Sequence, residues 1–346
     1  MGTIWFYLVA LMIAVYVLLD GFDLGAGAIH LFVAKTDEER RQVLASIGPV
    51  WDGNEVWLLA AGGTLYFAFP VLYASGFSGF YLPLMIVLWL LVLRGTSIEL
   101  RSHIHSKVWE PAWDFVFWVS SLFLCVFFGA ALGNVVRGVP LDASGYFFEP
   151  LWTNFRLGDS TGILDWYTIL VGLLALAALI VHGALWIILK TDGAVRERSL
   201  VIVRQAWWVL AALTVVVSVV SFRIQPAILA HFRRWPVALF FPLLAVAGLM
   251  GVRWALSRRD EWKSFLASGC YLAGMLLSVV FGLFPMVLPA RNPVFSLTVE
   301  NSQAGNYGLK VGVVWWVLGM ILAAGYFVYV YRSIAGKVAL GKHGDD

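Results

Sequence analysis

Long apolar stretches alternate with short polar ones along almost the whole chain. Runs of membrane-spanning length cover residues 4–33, 53–74, 77–101, 112–136, 166–190, 200–222, 236–257, 264–288 and 310–333. A helix needs about 20 mostly apolar residues to cross a bilayer, so the pattern predicts nine transmembrane helices in an all-α, polytopic integral membrane protein. Four spans, a connection at 138–165, four more spans, a connection at 289–309 and a final span suggest two four-helix bundles plus one peripheral helix. We read 1–346 as a single membrane-embedded domain, with approximate halves 1–137 and 166–290 and the last helix at 310–333. No internal sequence repeat is strong enough to demonstrate duplication.

The pattern breaks most sharply in VLLDGFDLGAGAIH, residues 17–30, where Asp20 and Asp23 interrupt the second half of the first span. A carboxylate at mid-bilayer costs roughly 2.5–3.5 kcal/mol on insertion scales, so such a residue needs a partner and a reason. The two acids are three residues apart and share a helix face. Gly21 and Gly25 have the spacing that lets another helix approach closely. The alternative is that both carboxylates lie near the headgroups and face water. A second break, WDGNEVW at 51–57, places Asp52 and Glu55 at the start of the second span, where Asp52 also has the character of an N-cap.

Counting Lys and Arg by side gives seventeen on one side and seven on the other, which by the positive-inside rule puts the N terminus outside and the C terminus in the cytoplasm. That count includes Lys342 in the tail. The segment 35–41, KTDEERR, is then a cytoplasmic loop whose charges read most simply as a solvated face. Alternation of spans brings four groups to the cytoplasmic side: Asp20 with Asp23, Asp52 with Glu55, Arg94 with Glu99, and Asp114. Carboxylates at staggered depth, with an arginine that can keep one ionised, are the materials of a proton path. Arg94 also has the length to snorkel to the interface, and Asp114 and Glu55 read as interfacial rather than buried.

Composition agrees with the membrane class: the chain is 61% hydrophobic and 13% charged, with a mean hydropathy of +0.83, against about 25% charged in soluble domains. A net charge of +3 spread over loops gives no case for nucleic acid. The N terminus lacks the basic region of a cleaved signal peptide, so the first span is expected to remain. Cys125 and Cys270 lie in apolar runs and suggest neither a disulfide framework nor a cysteine metal site. Membrane b-haems take axial His or Met from facing helices. Here His103 and His105 fall in an inside loop, His231 in an outside loop, His343 in the tail and His30 near an interface, leaving His182 as the one clear mid-span histidine. A lone His182 reads as a hydrogen-bonded packing residue. No HExxH, CxxC, phosphate-loop or GxSxG motif is present. The chain by its own residues is expected to hold no redox centre and no metal.

Several long motifs together resemble subunit II of cytochrome bd-type quinol oxidases: GFDLGAG at 21–27, SIGPVWDGNEVWLLAAGG at 46–63, ASGFSGFY at 74–81, Arg94, FGAALGNVVRGVP at 128–140, FP at 284–285 and SLTVENS at 296–302. The resemblance implies a heterodimeric core in the bacterial cytoplasmic membrane. Its larger partner, subunit I, would carry two b-type haems and one d-type haem, oxidise quinol and reduce oxygen to water, while subunit II would hold no haem, support assembly and line a proton route. By motif position the route residues would be Asp23, Asp52 and Arg94, with Asp20 and Glu99 adjacent. Glu55, where some members carry an amide, would be an extra acid near the mouth. Trp51 and Trp57 would border a structural quinone or pack beside the route. Small single-helix accessory subunits are a further open expectation. The rival reading from the residues alone is a proton-coupled secondary transporter in which Asp23 and Asp52 bind the coupling ion. Transporters usually place broken helices at mid-membrane in both halves, whereas these acids gather in the first half at one side.

Overall fold

The computed structural model describes residues 1–158 and 161–338; Lys342 and His343 lie outside the described residues. Helix α1 (Gly2–Val33) runs from the end of the bundle that carries the N terminus to the opposite end, where the short helix α2 (Asp37–Ile47) lies. Helix α3 (Trp51–Ala68) returns antiparallel to α1. Asn54 at its start meets Asp23, and Ala68 and Phe69 at its close pack with Trp5. After the short α4 (Pro70–Gly79), α5 (Tyr81–Leu100) and α6 (Trp109–Arg137) cross in turn. The second half follows as α7 (Trp166–Lys190), α8 (Gly193–Ile224), the short α9 (Pro226–Arg234), α10 (Phe240–Ser257) and α11 (Glu261–Leu283). An antiparallel pair of strands, β1 (Met286–Leu288) and β2 (Leu297–Thr298), then leads through the single turn α12 (Val299–Ser302) to α13 (Asn306–Ser333).

Eight of the helices are long and apolar enough to cross a membrane on composition alone. Helix α3 falls short only because Asp52, Asn54 and Glu55 occupy its first turns, yet its 18 residues connect the two ends of the bundle. Followed along the chain, nine helices cross among the described residues. The peripheral position expected for the last span holds: Leu309 is the one buried residue of α13.

Packing explains where the predicted boundaries moved. The span read as 53–74 ends at Phe69, because Pro70 cannot continue the hydrogen-bond ladder and instead starts α4 as its first residue. The span read as 77–101 begins at Tyr81 after a break at Phe80. The segment read as a solvated loop at 35–41 instead opens α2. Thr36 and Glu39 form a reciprocal capping box, and Asp37, Glu38 and Glu39 place three acids in the first turn, where the helix dipole favours them. Its charges are engaged: Arg198 of α8 donates to Glu39 at 2.7 Å and to the Val33 carbonyl at 2.8 Å. Arg41 and Arg101 both bond Asp37.

The two halves meet along α1 and α7. A Cβ placed on Gly25 would lie 1.8 Å from the Leu179 carbonyl oxygen, and one on Gly183 would lie 2.3 Å from the Ala26 nitrogen. The helices therefore touch backbone to backbone at this crossing, as the small-residue spacing predicts. Buried side chains continue through it without a break, from Phe22 and Ile29 through Leu179 and Trp186 to Leu249 and Leu272. The connection 138–165 is bound at the N-terminal end by charge: Glu149 accepts from Arg137 at 2.8 Å and from Arg291, and Arg137 also holds Asp165.

Candidate functional site

Asp20 and Asp23 are both 0% exposed, so the reading that they face water at the headgroups is excluded. Each has its own partner. Arg94, reaching across from α5, forks onto Asp20, with Nη1 donating to Oδ2 at 2.8 Å and Nη2 to Oδ1. Arg94 is itself fully buried, so it does not snorkel. Asp23 accepts from the Asn54 amide at 2.8 Å, and the same amide reaches the Leu19 carbonyl at 3.2 Å. Tyr331, on the peripheral helix, donates its hydroxyl to Asn54 Oδ1 at 2.8 Å and so fixes the way the amide points. The other oxygen of Asp23, Oδ1, is buried without a hydrogen-bond partner in the protein.

The remaining expected residues grade outward from this pair. Glu55 is half-buried one helical turn from Asp52 and within electrostatic range of Asp20, Asp52 and Arg94. Asp52 is exposed at the α2 end. It does not cap its helix: Val50 occupies that position with no side-chain bond, and Asp52 is the second helical residue. Glu99 is exposed, and only its backbone carbonyl is engaged, by His103 at 2.9 Å. Trp57 packs on Phe327 with ring centroids 5.5 Å apart, its indole nitrogen unpartnered, and Trp51 lies against Gly95.

Asp114 corrects the sequence reading. It is buried, not interfacial, and accepts from His30 Nε2 at 2.9 Å, Arg40 at 2.9 Å and Arg101 at 2.6 Å. His30, near the end of its span, is likewise buried. Sequence reasoning also missed Asn54 and Tyr331 as site residues.

A cavity of about 620 Å³ opens beside this cluster, between α1, α7, α11 and the close of α13. Phe22, Trp186, Trp262, Phe265 and Tyr331 line it, with Lys190 among its few polar groups. Trp51 and Trp57 do not. The histidines are poor candidates for haem ligation: His182 uses both ring nitrogens, on Ser268 at 2.7 Å and the Leu18 carbonyl at 3.0 Å, and His30 spends Nε2 on Asp114. Among the described residues no group of three or more His, Cys, Asp or Glu could hold a metal ion.

A bundle of nine crossings, with an arginine–carboxylate pair and a second carboxylate sealed in its first half, defines a polytopic membrane protein that stabilises charge within the bilayer. The cytochrome bd terminal oxidase subunit II family profile matches residues 1–334, and the chain belongs to that family. It is thus a subunit of a membrane oxidoreductase. The chain is 30% identical to the probable cytochrome oxidase subunit 2 of Haemophilus influenzae, over 97% of this chain and 94% of that protein. It is 27% identical to the cytochrome bd-I ubiquinol oxidase subunit 2 of Escherichia coli K12, with the same coverage. It is 31% identical to the cytochrome bd ubiquinol oxidase subunit 2 of Bacillus subtilis, over 89% of this chain and 88% of that one. In fold it is similar to a chain of the bd oxidase from Geobacillus thermodenitrificans, with a TM-score of 0.75 at 17% identity, covering 96% and 97% of the two chains. This family does not favour the transporter reading.

Proposed function

We propose that this chain is the haem-free subunit II of a cytochrome bd-type quinol:oxygen oxidoreductase and that its own chemistry is proton delivery. The haems belong to subunit I, which oxidises quinol and reduces oxygen to water. The α2 end of the bundle faces the cytoplasm, in keeping with the excess of Lys and Arg there and with the expected inner-membrane location.

The division of labour follows from the hydrogen bonds. Both oxygens of Asp20 are taken by the Arg94 fork, so the two side chains form a closed pair. Asp23 has one oxygen on an amide donor and one unpartnered. It is therefore the group free to gain and lose a proton. Asp52, exposed, collects protons from the cytoplasm, and half-buried Glu55 is the intermediate station. Glu99 is at most a surface collector. The aromatic cavity suits a quinone with its isoprenoid tail better than the edges of Trp51 and Trp57, and would give a structural quinone a seat between the halves.

The observation that carries this reading is the pair of sealed carboxylates with unlike partners. Its test is Asp52→Asn in the purified complex, which removes the proton-carrying group at similar size. Oxygen consumption should slow while the haem content per complex is unchanged. Unchanged turnover would refute the route, and loss of haem would make Asp52 a residue of assembly.

A further inference from the structure

The polar residues of α1 do not stop at Asp23. Asp20, Asp23, Gly27 and His30 follow one another at spacings of three, four and three, and so form a single stripe along the helix. From Asp23 to Gly27 the axis rises about 6 Å and from Gly27 to His30 about 4.5 Å. Helix α6 packs along this stripe. A Cβ on Gly27 would lie 2.1 Å from Ser121 Oγ, so the missing side chain leaves room for that hydroxyl. Asp114, two turns before Ser121, meets His30. The Ser121 hydroxyl thus stands at the level of Gly27, about midway between Asp23 and His30.

Three polar atoms along this seam are buried without a hydrogen-bond partner in the protein: Asp23 Oδ1, Ser121 Oγ and His30 Nδ1. Leaving one such atom unsatisfied costs about 1–3 kcal/mol, and a water with two or more polar neighbours is the ordinary remedy. Asp23 Oδ1 and His30 Nδ1 mark the two ends of the line, and Ser121 Oγ, a hydroxyl that can both donate and accept, stands between them.

At the His30 end the hydrogen bond to Asp114 sets which ring nitrogen carries the lone pair. Asp114 accepts from Nε2 at 2.9 Å, which leaves Nδ1 as the lone-pair nitrogen, buried and without a partner in the protein. Asp114 is in turn held by Arg40 and Arg101, with Asp37 behind Arg101, and Phe117 packs against the imidazole at 5.3 Å between centroids. A carboxylate clamped by two guanidiniums is a poor proton carrier. The arrangement is therefore closed toward the α2 end, and the tip of the Phe117 ring reaches Gly27, where a Cβ would lie 3.0 Å from its Cζ.

We propose that His30 is a proton-storing side station of the delivery route, joined to Asp23 by internal waters on either side of the Ser121 hydroxyl. A proton leaving Asp23 passes along this line to Nδ1, the imidazolium is steadied by Asp114, and the proton returns when Asp23 is emptied. No net bond change occurs. This role rests on the proton-delivery reading of Asp23 given above.

The test uses the intact oxidase complex with His30→Gln, which keeps a donor toward Asp114 but cannot store a proton, and with Ser121→Ala, which breaks the line without touching the dyad. Turnover is followed across the neutral and alkaline range. Both variants should match the parent where protons are plentiful and fall severalfold below it as the medium becomes alkaline. A high-resolution cryo-EM map of the parent complex should show density for water on both sides of Ser121 Oγ. Parent-like pH profiles in both variants, or a dry seam, overturn the proposal. Asp23→Asn serves as the reference: if it slows turnover while both seam variants do not, only the side station fails. If Asp23→Asn itself has no effect, the underlying route fails.

Discussion

The Arg94–Asp20 pair allows structural and functional roles to be separated by a double-mutant cycle. Both side chains are 0% exposed, so removing either one leaves a charge sealed in the interior. Breaking a buried pair in this way costs about 3–5 kcal/mol, whereas replacing both members with apolar groups of similar volume is often neutral or stabilising. Arg94→Met and Asp20→Leu should therefore each lower the thermal stability of the complex by an amount of that order. The double variant should recover most of the loss, giving a coupling energy of about 3 kcal/mol or more. The assay is retention of haem absorbance and of the subunit I–subunit II association during a temperature ramp, together with oxygen consumption. If the pair sets the electrostatic surroundings in which Asp23 works, the double variant assembles but turns over slowly. Additive single losses would show that the two side chains are not coupled, and full turnover in the double variant would make the pair purely structural.

Two other consequences concern the scaffold. Gly25→Ala puts a methyl within 1.8 Å of the Leu179 carbonyl, which forces α1 and α7 apart and should cost about 1–3 kcal/mol or more; an assembled complex of parental stability would contradict the close crossing. Glu39 is held below the usual carboxylate range, first by the hydrogen bond from Arg198. Because its folded value is depressed, its contribution to docking α2 is complete above the ordinary carboxylate value of about 4.3 and is lost as pH falls through the folded value. Hydrogen exchange of the α2 amides should thus be flat from neutral pH down toward that value and rise only below it, and Glu39→Gln should raise it at all these pH values. Release of α2 beginning near neutrality would contradict the assignment.

The parts of the fold legible in the sequence are those governed by a single helix. Nine crossings, the peripheral last helix, the gathering of Asp20, Asp23, Asp52 and Arg94 at one side, and the close approach at Gly25 follow from apolar run length, alternation and spacing. Partners far apart in the chain were not legible. Tyr331 meets Asn54 across 277 residues, and nothing near either residue announces the contact. His30 and Asp114 each sit near a span boundary and look interfacial singly; only the packing of α1 on α6 shows that they bury each other. Asn54 sits between the acids Asp52 and Glu55, and nothing in the local pattern marks its amide as the partner of Asp23. Helix α2 is a different case. The Thr36–Glu39 capping signature lies in plain view, but a charge run whose partners are far away in the chain looks solvated.

The most direct test of the account is proton uptake by the oxidase reconstituted in vesicles, with the α2 end of subunit II facing a pH-indicating dye, comparing the parent with Asp23→Asn. The account predicts that the variant keeps its haems and its association with subunit I, but takes up protons and consumes oxygen much more slowly. Proton uptake at the parental rate by an intact Asp23→Asn complex would contradict the claim that this buried carboxyl carries protons.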